Sequence, residues 1–134
     1  MFETSHSERT SAPASAVWAR WARPSRWPDW DSRIARAEAD DDGELAEGAV
    51  VRVKLRKGGT TRHVVTALEP GRRLVTEYQL PGARVGHERI VERRGPGSEV
   101  THRLYVDGPL GAAWAMMLGR GRLRQTAAGF TDVG

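Results

Sequence analysis

The chain has 134 residues, 39% of them hydrophobic and 28% charged, which fits one globular domain over 1–134 and is too apolar for a disordered segment. It has no cysteine, so neither a disulfide framework nor a thiolate metal site is available. The net charge of +4 comes almost wholly from arginine, since Lys54 and Lys57 are the only lysines. Those arginines are interleaved with acids except at Arg93-Arg94 and in Gly119–Arg124, so a solvated surface is expected rather than a specific nucleic-acid site. The first ten residues lack the apolar core of a signal peptide and no apolar run approaches a membrane span. A cytoplasmic chain without membrane insertion is therefore expected.

In chain order, a polar first strand carries Phe2, Thr4, His6 and Glu8 on one face by alternation. Pro13 suits the first turn of a helix. Ala14, Val17, Trp18 and Trp21 follow at i, i+3, i+4, i+7, an apolar stripe. Pro24 ends this helix, because the residue before a proline is pushed out of helical conformation. A second turn carries Trp27 and Trp30, so 12–34 holds four of the five tryptophans. Trp18 and Trp21 read as core.

Gly- and Pro-bearing breaks then divide the chain into six strands, Ile34–Asp40, Ala49–Arg56, Thr60–Leu68, Arg73–Leu80, Ala83–Arg93 and Glu99–Val106. Val51, Val53 and Leu55 alternate with Arg52, Lys54 and Arg56, so one face is buried and the other wet. Asp107-Gly108-Pro109 delivers the chain into a last helix, with Leu110, Ala113, Trp114, Met117, Leu118 and Gly121 on one face. Gly111, Gly119, Gly121 and Gly129 weaken that helix by about 1 kcal/mol for each interior position.

A short polar strand, a helix opening on Ala-Pro, a tryptophan-rich second turn, a run of hairpins and a terminal helix after Gly-Pro resemble the START/SRPBCC superfamily. The likeness is closest to its polyketide cyclase/dehydrase-like branch. It implies an α+β helix-grip fold: a curved antiparallel sheet wrapped around a long C-terminal helix, with two short helices after the first strand. It also implies a ligand cavity between sheet and helix, holding a hydrophobic small molecule.

Anchoring each strand on its apolar residues gives an inward set with several polar members: His6, Glu8, Tyr78, His87, Arg89 and His102. Buried charge is costly unless paired, so this set points to a hydrated or ligand-filled space. Three chemistries compete for it. In the first, His87 shuttles a proton, Arg89 holds an anionic oxygen and Glu8 is a candidate base, which suits the cyclase/dehydratase-like reaction that the resemblance implies. In the second, His6, Glu8 and His102 form an open metal-ligand set, although no tight metal motif accompanies them and neither metal nor cofactor is expected.

In the third, the protein is a non-catalytic carrier or sensor of a small molecule or lipid. Its contacts would be His6, Trp27, Trp30, Tyr78, His102, Trp114 and Met117, with Met116 adding adaptable surface. Catalysis and plain binding both stay open at this point, as does assembly into a homodimer. His63, whose neighbours suggest the outer face, reads as a hydrogen-bonded structural histidine.

Overall fold

In a computed structural model, seven strands form one antiparallel sheet: β1 (Phe2–Thr10), β2 (Ile34–Ala39), β3 (Val50–Leu55), β4 (Thr60–Glu69), β5 (Arg73–Leu80), β6 (Ala83–Arg94) and β7 (Gly97–Asp107). The structure describes residues 2–39 and 45–118, with the side chains of Ala115, Met117 and Leu118 outside the description. Strand order is β1-β7-β6-β5-β4-β3-β2. Consecutive strands pair as hairpins from β2 to β7, and β1 returns to pair with β7, with Phe2 opposite Val106 and Thr10 opposite Ser98. All six strands expected after the tryptophan segment form within a residue or two of their expected ends.

Between β1 and β2 lie α1 (Ala14–Trp21), a single 3-10 turn over Pro24–Arg26, and α2 (Trp27–Trp30). Pro13 stands one position before the expected first turn: its backbone is extended (φ −67°, ψ 153°) and its carbonyl accepts from Ala16 and Val17. Pro24 opens the 3-10 turn, so the helix ends where its sequence requires. The stripe on α1 buries Val17 and Trp21, while Trp18 is half-buried beside them. The indoles of α2 are tied back to the first helix. Trp27 Nε1 donates to the Trp21 carbonyl at 3.0 Å and Trp30 Nε1 to that of Arg20 at 3.3 Å.

The face of the sheet that these tryptophans cover, here the inner face, carries two separate apolar clusters. The larger joins Val17, Trp21, Trp27 and Trp30 to strand residues that include Val51, Val53, Leu74, Val91 and Val100. The smaller joins Ala83, Val85, Leu104 and Val106, with Phe2, Tyr78, Leu80 and Trp114 against it. The last helix begins as α3 (Gly111–Leu118). Its entry depends on two glycines with positive φ, Gly82 (70°) and Gly108 (114°), which bring backbone against backbone. Leu110 N–H donates to the Gly82 carbonyl at 2.9 Å, and a Cβ on Gly108 would stand 2.7 Å from that same oxygen. The expected long C-terminal helix lies, beyond Leu118, outside the described residues.

Candidate functional site

A polar band crosses the inner face between the two apolar clusters. On β6 it is His87 and Arg89, set between Val85 and Val91; on β7 it is His102, between Leu104 and Val100; on β5 it is Thr76, between Tyr78 and Leu74. Antiparallel register brings these residues together, with Thr76 opposite His87 and Arg89 opposite His102. His87 Nδ1 and His102 Nε2 lie 3.2 Å apart, one donating to the other, and the rings stack at 5.3 Å with 16° between their planes.

Arg89, only 3% exposed, donates to Thr76 Oγ1 at 3.4 Å. Its guanidinium carbon sits 5.5 Å from the Trp27 ring centroid and 5.7 Å from that of Trp30. Two indole faces therefore stabilise a buried cation. Trp27 and Trp30, expected as ligand contacts, are buried and pack around Arg89. Burial pushes the Arg89 pKa down to about 9, with Asp31 opposing the shift, so the group stays cationic at neutral pH. Buried Asp31 is held by Arg33, whose Nη2 donates to it at 2.8 Å; burial would raise its pKa, but Arg33 and then Arg89 bring it below the usual value.

His63 corrects the sequence reading. It lies on the inner face, not the outer, opposite Val51 and 8% exposed. Its ring stands 4.8 Å from Tyr78, 6.2 Å from His87 and 6.4 Å from Trp27. The Val64-Val65 doublet explains the error, because either valine can set the phase of β4. In the structure Val65 is buried and Val64 exposed, and the register slips between Val65 and Ala67. The available signal was the Thr61–His63–Val65 set read against Val51 and Val53 across the hairpin. Desolvation, then Arg89, lowers the His63 pKa to about 3; desolvation, then His102 and Arg89, holds His87 well below its ordinary value. Both imidazoles are neutral at pH 7.

Of the other residues singled out in the sequence, Tyr78 is half-buried on β5 and stacks on His87 at 5.9 Å. His6 faces inward opposite His102, but at the β1 edge, where its Nε2 donates to Glu8 Oε1 at 2.7 Å. Glu8 pairs with Val100, which in turn pairs with Val91. It therefore stands two strands from β6 at the level of Val91, with its side chain 45% exposed, and does not sit within the band. Among the described residues no three His, Asp or Glu side chains gather as a metal set, so His6, Glu8 and His102 do not form one.

Trp114 covers the far end of the inner face, donating from Nε1 to the Pro81 carbonyl at 2.8 Å. Met116 is 83% exposed, and the side chain of Met117 lies outside the described residues. Among the described residues no helix is long and apolar enough to cross a membrane.

A single antiparallel meander closed by β1, with two short helices inserted after that strand, is consistent with the helix-grip fold of the START/SRPBCC superfamily. The chain belongs to the family described as polyketide cyclase/dehydrase and lipid transport, whose model matches residues 1–132. No curated protein matches the sequence. Among solved structures it is similar to Ara h 8.0201 (13% identity, 98% of this chain and 93% of that one, TM-score 0.76). It is also similar to truncated norcoclaurine synthase from Thalictrum flavum (13% identity, 98% and 92% covered, TM-score 0.67). A third is the di-domain ARO/CYC BexL (19% identity, TM-score 0.78), where 98% of this chain matches 46% of that chain. At these identities the likeness is one of fold.

Proposed function

We propose that residues 1–134 act as one ligand-binding domain, holding a hydrophobic small molecule with an oxygen function between the inner face and the C-terminal helix. The observation that carries this reading is the polar band interrupting the core: a buried cation and neutral imidazoles lie between two apolar clusters. Polar groups set between apolar walls are how small-molecule sites fix orientation. Arg89 would bind the ligand oxygen, and the apolar clusters would take the hydrocarbon on either side. Trp27, Trp30, Tyr78 and Trp114 would supply ring contacts, and His6 would approach from the β1 edge.

The same arrangement supports acid–base chemistry on a carbonyl compound. Removal of a proton α to the carbonyl would place negative charge on the oxygen beside Arg89, and the proton would pass to the His87–His102 pair. Returning it to a departing hydroxyl would release water and complete a dehydration. Glu8 could join this chemistry only through His6. A specific observation favours the second reading, a carrier without turnover: burial makes His87 a weak base.

Native mass spectrometry of untagged protein, compared with the denatured mass, should reveal a co-purifying organic molecule. The double variant His87→Leu/Arg89→Met then separates the readings. An enzyme would lose turnover of the compound so identified, whereas a carrier would keep appreciable affinity for a neutral apolar ligand. Turnover that survives the double change would refute the roles given to both residues.

A further inference from the structure

We infer that His63 is a second hydrogen-bonding point for the ligand, through Nδ1, and selects molecules with a polar group beyond the one that Arg89 holds. This rests on the reading of the inner face as a ligand site. Three observations carry it. First, Nδ1 is buried and has no hydrogen-bond partner among the described residues, while Nε2 lies 3.0 Å from Thr61 Oγ1. A buried polar atom left unmade is costly, so the position calls for a partner that the described residues do not supply. Second, the ring belongs to a continuous strip that runs from Trp27 through His63 and Tyr78 to His87 and His102, on the same face as Arg89.

Third, the two anchoring groups share a neighbour. The His63 ring centroid and the Arg89 guanidinium carbon lie 6.4 and 5.5 Å from the Trp27 ring centroid, so they stand no more than about 12 Å apart, a span that a naphthalene with a polar group at each end can bridge. The neutral imidazole serves either polarity. If Thr61 donates to Nε2, Nδ1 carries the proton and binds an acceptor oxygen. If Nε2 donates to Thr61, Nδ1 is bare and accepts from a hydroxyl. A hydroxyl on the ligand satisfies both tautomers, and a hydrocarbon satisfies neither.

The test compares 2-naphthoate with 6-hydroxy-2-naphthoate, measured by titration calorimetry on the full chain. Wild-type protein should bind the hydroxylated probe about five- to tenfold more tightly, the factor expected of one hydrogen bond. His63→Leu should bind both probes equally. His63→Asn, which keeps a polar atom near the Nδ1 position, should retain a preference, and circular dichroism of each variant reports that it is folded.

Equal binding of the two probes by wild-type protein overturns the inference and leaves the ligand-site reading standing. A preference that persists in folded His63→Leu also overturns it. Failure of both probes to bind wild-type protein at millimolar concentration overturns the ligand-site reading and this inference together.

Discussion

Lowering the pH from 7 to 4.5 should strongly destabilise this protein, because two buried imidazoles resist protonation. His63 has its pKa lowered to about 3, and His87 is held well below the ordinary 6.5. Below pH 6.5 the unfolded chain takes up protons that the folded chain refuses, so stability rises with pH in this window and falls as the solution is acidified. Each such group contributes a slope of about 1.4 kcal/mol per pH unit. Two units below 6.5, His63 therefore costs about 3 kcal/mol of a total that is commonly 5–15 kcal/mol, and His87 adds a loss of the same sign.

Asp31 acts in a lower window, because its depressed pKa makes its contribution disappear only below the usual 3.8. Urea unfolding followed by tryptophan fluorescence at pH 7.5, 6.5, 5.5 and 4.5 gives the slope directly. In His63→Leu the slope should fall by about one proton. A flat profile in the wild type, or an unchanged slope in the variant, would refute the claim that these imidazoles remain neutral in the folded protein.

Gly97→Ala should destabilise by about 2–3 kcal/mol in urea titration, since the new methyl would drive into the Thr10 carbonyl where β1 meets β7, whereas Gly59→Ala, with open space around it, should be nearly neutral. On the outer face Gly86 lies beneath the Tyr105 ring, whose hydroxyl donates to Glu77. Gly86→Ala should cost about 1–3 kcal/mol in wild-type protein and much less in a Tyr105→Ala background, a coupling that a double-mutant cycle measures. Arg89→Met should leave the urea midpoint unchanged or raise it, because removing a buried cation relieves desolvation; a loss of several kcal/mol would show that the charge holds the core together. Trp21→Ala should cost about 3–5 kcal/mol by thermal melt, since the fully buried indole cannot be replaced by collapse around it.

Most of the sheet was legible because its turns are marked by glycine and proline and its strands alternate plainly. Val51 and Val53 against Arg52 and Lys54 announce which face is wet, and their burial follows that pattern. The inward positions of His87, Arg89 and His102 were legible for the same reason, since flanking apolar residues fix their phase. Three features could not be read in this way. The adjacent valines in β4 left its phase undetermined, which hid His63 until pairing with Val51 decided it. The distance between Glu8 and β6 depends on β7 lying between them, a long-range pairing that alternation along one strand does not encode. The role of Trp27 and Trp30 as a seat for Arg89 likewise arises from tertiary contact between α2 and β6.

The pairing of β1 with β7 also sets an order of events during synthesis. Strands β4 to β7 are joined by short turns, so the polar band can assemble from neighbouring hairpins as they leave the ribosome. β1 emerges first, yet its partner emerges about a hundred residues later, with Phe2 waiting for Val106. During that interval an unpaired strand is exposed to any other chain with a free edge. Its sequence, FETSHSERT, is almost wholly polar after the phenylalanine, which gives a passing partner little to bury. The strand that contributes least apolar surface to the finished core is thus the one best suited to stand alone in water longest.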